Sequence, residues 1–483
     1  MSEAAQRAAL LQAVLDAPDD IATRRIYADA LSGEGDPRGE FIHVQCDLAE
    51  ATPTDPRRGV LATRERSLLG KHRKTWIAPF AKAVHSPSFK RGMIEGAFVK
   101  ATFTTAVGEL LAREPVTSLS MHKLTIGQAA ALGPLPQLAR LRKLRVAESS
   151  LGVRGATALF SPRLSNLRDL DLYQAGIDDG GLARLRETVF PQLERLVLSG
   201  NRLSPHAVDS LLYDKRLSKL TSLALAWALP DRAGAEQVAR RLELPALTEL
   251  DLSSQRYTNA ALAALVENET IARLRSLRLE YNQLVGAGLD ELARLTQLER
   301  LNIGTNQIGI AGASALAASG MPLKSLALGQ AKLGDNGVRA LAHGRFPDLA
   351  ELDLQYCDVG PKGVAAIAKT PWPLTHLNLW ANSIGDDGAG ELAGASWTGT
   401  MRALTLGYCD LTDAGIEAVT AGSWPALERI VFRGDRIGEA GARAFAKSTT
   451  MPALRSLVFQ GTGTPKSPLT SLLKRGVDLE FSK

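Results

Sequence analysis

Along most of the chain the apolar residues return in one frame. In residues 374–388, LTHLNLWANSIGDDG, they stand at Leu374, Leu377, Leu379 and Ile384, with Asn382 and Gly388 at set places between and after them. With n as the first apolar residue, the frame is L-x-x-L-x-L-x-x-N-x-I-x-x-x-G. It restarts at Val116, Leu141, Leu167, Leu193, Leu220, Leu247, Leu274, Leu298, Leu323, Leu349, Leu374, Met401, Leu427 and Leu454, fourteen units at intervals of 24 to 27 residues. Side chains alternate along a strand, so n+3 and n+5 share one face of a short strand and n+4 and n+6 share the other. The apolar residue at n+10 follows a turn into the same interior. Ala- and Leu-rich stretches such as ASALAASG, residues 313–320, predict the helix that covers it. One unit cannot shield its apolar face, whereas stacked units build a continuous core, at roughly 1.5 to 3 kcal/mol per fully buried Leu or Ile.

Units such as LRDLDLYQAGIDDGG from Leu167, LRSLRLEYNQLVGAG from Leu274 and LERLNIGTNQIGIAG from Leu298 resemble leucine-rich repeats of the ribonuclease-inhibitor-like type over residues 116–464. The resemblance implies an α/β leucine-rich repeat solenoid. Its form would be a horseshoe with parallel strands on the concave face and helices on the convex face. The n+8 position carries Asn201, Asn282, Asn306 and Asn382, whose amides can satisfy backbone groups where each strand turns. Elsewhere it carries Cys357, Cys409, Ala175 or Ala331, which places two of the three cysteines on a structural ladder as reduced thiols.

Residues 1–90 fall outside the frame and predict a small, mainly helical domain, followed by a strand-rich junction over 91–115. Residues 465–483 read as a C-terminal cap. Asp36-Pro37 and Asp55-Pro56 are both expected helix starts, a capping Asp followed by a Pro that lacks only a dispensable N–H. The stretches RRIYADALSGEGDPRGEFIHVQCDLAE (24–50) and FKRGMIEGAFV (89–99) resemble a repeat-companion domain found before leucine-rich repeats in some bacterial proteins. This implies a bacterial origin and brings no activity with it. The module can cap the open end of the first repeat or serve as a second docking site.

The chain's charge of +6 is unevenly placed. Residues 1–55 hold four Arg against eleven Asp and Glu, net −7; residues 56–92 hold ten Lys and Arg against Glu65, net +9. The basic segment raises nucleic-acid binding as a lesser alternative, with affinity falling steeply with salt unless the acidic segment pairs with it. The N-terminus does not read as a signal peptide, and no stretch approaches the about 20 apolar residues of a membrane span, so a soluble, cytoplasmic chain is expected.

Chemistry is hard to find in this sequence. GTGTPKS (461–467) has Pro465 where a phosphate-binding loop needs Gly, the histidines lack metal-ligand spacing, and neither HExxH nor G-x-S-x-G occurs. No catalytic residue, cofactor or metal ligand is assigned, and an enzyme is not expected. The carboxylate pairs Asp169 and Asp171, Glu249 and Asp251, and Glu351 and Asp353 recur at the same offsets on different repeats, which fits a charged surface better than a glycosidase pair.

The inner-face positions n+2, n+4, n+6 and n+7 carry the functional expectation. These four positions in fourteen repeats, 56 in all, hold Tyr173, Trp227, Tyr281, Tyr356, Trp380 and Tyr408, six of the thirteen Tyr and Trp residues. Such side chains combine large contact area with a polar handle. Eight Asp and Glu and eight Lys and Arg share the face, among them Arg278, Glu280, Arg300, Arg429 and Arg433, with His376 and Asn378 beside Trp380. A balanced, aromatic face suits a protein or peptide partner, while nucleic acid would ask for a basic stripe. The expected function is a non-catalytic scaffold or adaptor binding a protein on its concave face. The resemblance to ribonuclease-inhibitor-like repeats also allows regulation of a small GTPase.

Overall fold

The computed structural model describes residues 2–100, 104–188, 190–229 and 232–482. The chain divides into two compact units, Met1–Ala228 with Leu244–Ala246, and Leu229–Glu243 with Leu247–Lys483. No helix among the described residues is long and apolar enough to cross a membrane.

The first unit opens with four helices, α1 (Glu3–Asp16), α2 (Ile21–Gly33), α3 (Pro37–Glu50) and α4 (Arg58–Ile77). Asp36 caps α3 as expected, accepting from the Arg38 N–H at 2.9 Å ahead of Pro37. The start expected at Asp55-Pro56 lies later, at Arg58. Asp55 accepts from the Arg57 N–H at 2.8 Å, as Asp36 does from Arg38, and also holds the Arg57 guanidinium at 2.8 Å, which closes a turn in front of the helix. An antiparallel hairpin follows, β1 (Val84–Lys90) and β2 (Met93–Lys100). Its two-residue turn, Arg91-Gly92, has positive φ at both positions, the geometry that matches strand twist in tight hairpins.

A buried ion network fastens the helices to this hairpin. The guanidinium of Arg24, 0% exposed, donates to the carbonyls of Pro18, Lys90 and Arg91 and to Oε1 of Glu95 at 2.8 Å. Arg38 pairs with Glu114 at 2.8 Å, and Glu114 also accepts from the Ile94 N–H. Three arginines of the basic segment meet the acidic one, as Arg57–Asp55, Arg64–Glu40 and Arg91–Asp19.

From β2 the first unit continues as parallel strands at Ser118–His122, Lys143–Ala147, Asp169–Asp171, Arg195–Val197 and Ser222–Ala224. The second unit has its own parallel ladder. It runs from Glu249–Asp251 and Ser276–Arg278 through Arg300–Asn302, Ser325–Ala327, Glu351–Asp353 and His376–Asn378 to Ala403–Gly407, Arg429–Arg433, Ser456–Gln460 and Asp478–Ser482. The n+3 leucines lie in register, Leu301 against Leu326, Leu352, Leu377 and Leu404 in turn, and each is buried. Helices such as Gly309–Ala318, Gly334–Ala342 and Gly385–Ala393 cover that core from the other side.

Two devices end each strand. The n+7 residue has positive φ in every one of the fourteen repeats. Glycine stands there at Gly200, Gly434 and Gly461, and side-chain-bearing residues in the other eleven. Where the n+8 residue is polar, its side chain then bridges repeats. Nδ2 of Asn382 donates to the carbonyls of Leu354, Leu379 and Trp380, while its Oδ1 accepts from Cys357 and Val359 N–H at 3.0 and 2.9 Å. Cys357 occupies the same place one repeat earlier, its Sγ donating to the Leu328 carbonyl at 3.0 Å, and burial pushes its thiol up to about 12. A thiol held neutral and donating is part of the ladder.

Candidate functional site

On the strand face a charge inventory separates residues that satisfy one another from those that do not. In the first unit, Asp169 lies between Lys143 (3.7 Å) and Arg195 (3.0 Å), and Asp171 faces Arg145 (3.4 Å). In the second unit, Arg300 reaches over Ser276 to Glu249 at 3.0 Å, and Arg278 lies between Asp251 (3.5 Å) and Glu280 (3.8 Å). Each such exposed pair adds less than about 1 kcal/mol to stability, but together they neutralise these parts of the face.

The n+4 members have a further duty. Oδ1 of Asp171, Asp251, Asp353, Asn302 and Asn378 accepts the N–H of the n+6 residue in its own repeat, between 2.9 and 3.1 Å. That bond closes the strand end. The recurring carboxylate pairs therefore have one member fixed by the backbone, which the spacing of Asp and Asn at n+4 could have revealed.

Glu351 and Asp353 lack a cationic partner among the described residues. Glu351 is exposed, and its strand neighbours are Ser325 and His376. Asp353 is half-buried, and desolvation raises its carboxyl above the usual range against the pull of the Gln355 N–H and the Asn378 amide. His376 is exposed, its Nδ1 2.9 Å from Thr375 Oγ1.

Three strands further on, Arg429 and Arg433 lack an anionic partner among the described residues; Arg429 donates to Ser456 Oγ at 3.2 Å. Between the two charged patches lies the aromatic group. Trp380, half-buried, meets Tyr408 edge to face with ring centroids 5.2 Å apart, and the Arg433 guanidinium sits 5.4 Å from the Trp380 ring centre. Gly407 makes this meeting feasible, because a Cβ there would stand 2.6 Å from Cε3 and Cζ3 of Trp380 and 3.2 Å from Cβ of Arg433. Tyr408 lies in the same manner over Gly434. Arg429 and Arg433 stand among the face's cations in the sequence, but no spacing signal assigns them, or Gly407, to the site. Arg433 shares the n+6 column with Trp380 two repeats away.

The remaining aromatic residues are placed differently. Tyr281 and Tyr356 stand 56% and 51% exposed in the second unit. Tyr173 and Trp227 belong to the first unit, where Trp227, 65% exposed, lines a cavity of about 540 Å³ with Gln174, Gly200 and Arg202. Trp227, Tyr281, Tyr356 and Tyr408 occupy the left-handed n+7 position, at φ of 54°, 55°, 52° and 53°. A side chain there costs on the order of 1–3 kcal/mol, and glycine would relieve it. Tyr356→Gly will therefore be more stable than Tyr356→Ala by about 1 kcal/mol in urea unfolding. Equal midpoints would show that the left-handed turn imposes no strain.

Residues 295–317, 321–342, 347–368, 373–393 and 400–419 match the family model described as Leucine Rich repeat, so these stretches carry leucine-rich repeats. Among curated relatives, ribonuclease inhibitor from Sus scrofa is 26% identical over 277 residues, 54% of this chain and 56% of the relative. Ribonuclease inhibitor from Mus musculus is 26% identical over 306 residues, 59% and 62% respectively. The chain thus spans less than two thirds of the length of these relatives. Among solved structures, an internalin from Listeria monocytogenes is similar at TM-score 0.37 and 19% identity, covering 78% of this chain and 92% of that one. The yeast Rad7 and Elc1 complex is similar at TM-score 0.44 and 12% identity, covering 79% and 83%.

Proposed function

We propose that this chain of leucine-rich repeats is a non-catalytic scaffold or adaptor that holds a protein partner on the strand face of its second unit. The observation that carries the reading is the Trp380–Tyr408–Arg433 group, large side chains held at the surface over Gly407 and Gly434 where core packing does not need them. Aromatic and arginine side chains of this kind dominate interface hot spots. The curated relatives are named for inhibiting a ribonuclease, an action on another protein, which supports a protein partner here. In the same reading the N-terminal helices are a capping module, supported by the Arg24 network that fastens them to the hairpin. Seven cations of the basic segment, Arg58, Arg66, Lys71, Arg73, Lys74, Lys82 and Lys90, have no ion-pair partner among the described residues, which leaves salt-sensitive nucleic-acid binding as a lesser reading. Use of the strand face on a small GTPase would appear as a changed rate of GTP hydrolysis when the chain is added.

The test is affinity capture by wild type beside a Trp380→Ala, Tyr356→Ala, Tyr408→Ala triple variant, with both shown folded by circular dichroism. Loss of captured proteins from a folded triple variant is expected. Unchanged capture would remove the strand face from the account.

A further inference from the structure

Glu351, Asp353, Arg429 and Arg433, unpaired among the described residues, flank the aromatic pair in a fixed order, and that order describes an occupant. Resting on the protein-binding reading above, we propose that the partner is an extended segment crossing the strands, with a basic residue over Glu351 and Asp353, an aromatic residue over Trp380 and Tyr408, and an acidic residue over Arg429 and Arg433.

Three observations support this order. First, the anionic patch is open to a long side chain. On one flank its neighbours are Ser325 and Ala327, both small, and Arg300, one strand further, is turned away to Glu249. A lysine or arginine can therefore lie across the small residues and reach both carboxylates. Second, the cationic patch keeps its donors. Arg433 lies over Trp380 by its ring contact, and Arg429 meets only the neutral Ser456 hydroxyl, so the two can take a carboxylate by charge-assisted hydrogen bonds. Third, the spacing is that of a peptide. Glu351, His376, Ala403 and Arg429 are consecutive partners along the ladder, three strand steps. At about 4.8 Å per step that is about 14 Å, and an extended chain covers it in about four residues at 3.3 Å each. The aromatic pair falls between, where the middle residue of such a segment would lie.

The other charged groups on this face stand outside the two patches. Glu249, Asp251, Arg278, Glu280 and Arg300 pair with one another, and the exposed Asp478 and Glu480 lie on the last strand, beyond Arg429 and Ser456 and away from the aromatic pair. An occupant that meets these two patches must carry both signs, at opposite ends of an apolar middle. A uniformly basic or acidic segment would match one patch and oppose the other.

The probe is a labelled ten-residue peptide with lysine, phenylalanine and glutamate two residues apart, flanked by glycine and serine. Three companions replace the lysine and glutamate with two lysines, two glutamates or two glutamines. Fluorescence anisotropy with wild type is expected to show the lysine–phenylalanine–glutamate probe binding at least tenfold tighter than the two-glutamine probe. Glu351→Lys, an exposed change, should lose that advantage and bind the two-glutamate probe more tightly than wild type does. No binding of the mixed-charge probe, or equal affinity for all four, overturns the proposal. If the four bind equally and Trp380→Ala abolishes them all, the charge order falls while the aromatic face stands. The capture test above decides the broader reading without reference to these peptides.

Discussion

Replacing Asp435 with Asn will raise the stability of the second unit at pH 7 by about 3 kcal/mol and leave it nearly unchanged at pH 4. Asp435 stands at n+8 of the repeat starting at Leu427, where Asn382 stands in its own repeat. Its Oδ1 does the work of the Asn oxygen, accepting from the N–H of Cys409 at 2.7 Å and of Leu411 at 3.2 Å. Oδ2 takes the place of an amide that should donate, and it is buried without a partner. A carboxylate cannot donate, so burial, together with nearby Asp410, pushes Asp435 up to about 6.

The pH dependence follows from that direction. A carboxyl that holds its proton more tightly when folded stabilises the fold fully below the unfolded value near 4. The contribution is lost as pH rises towards 6 and stays lost above it. At about 1.4 kcal/mol per pH unit the loss is about 3 kcal/mol, which an amide avoids because it donates at every pH. Urea unfolding of wild type and Asp435→Asn across pH 4 to 8 measures this. Parallel curves would show that folding does not raise the Asp435 carboxyl.

Arg24→Met will destabilise the first unit by about 3–5 kcal/mol, the range for removing one partner of a buried ion pair. Methionine fills much of the volume, but three carbonyls and Glu95 lose a donor inside the protein. Arg24→Lys will recover little, since one ammonium cannot reach acceptors arranged around a planar fork. The effect should be local, because repeat arrays propagate stability through neighbours. Hydrogen exchange should quicken at Met93–Lys100 while the strand His376–Asn378 keeps its protection. Uniform quickening in both strands, or none, would count against a local clamp.

The repeat was legible because the same apolar frame recurs and each recurrence is independent support. The left-handed n+7 turn was not, since residues as unlike as Lys123, Trp227, Ala381 and Tyr408 adopt it and only three of the fourteen are glycine. Backbone geometry there is imposed by the ladder on either side, so local residue preference carries no signal. Charge counting showed eight of each sign on the inner face but could not say which were paired. Arg300 passes over Ser276 to reach Glu249, and Arg433 meets Trp380 across Gly407, contacts set by side-chain length and by a missing Cβ rather than by sequence spacing. At Asp55-Pro56 the capping bond to the Arg57 N–H is present, and the regular helix begins two residues after the Pro, at Arg58.

On the function proposed above, partners are held by the aromatic strand face and not by the helices behind it. The direct measurement is quantitative capture by three purified chains: wild type, Trp380→Ala with Tyr408→Ala, and Lys362→Glu with Lys369→Glu, two exposed lysines on the helix side. Equal capture is expected from wild type and the lysine variant, and at least tenfold less from the aromatic variant. Loss by the lysine variant with retention by the aromatic one would contradict it.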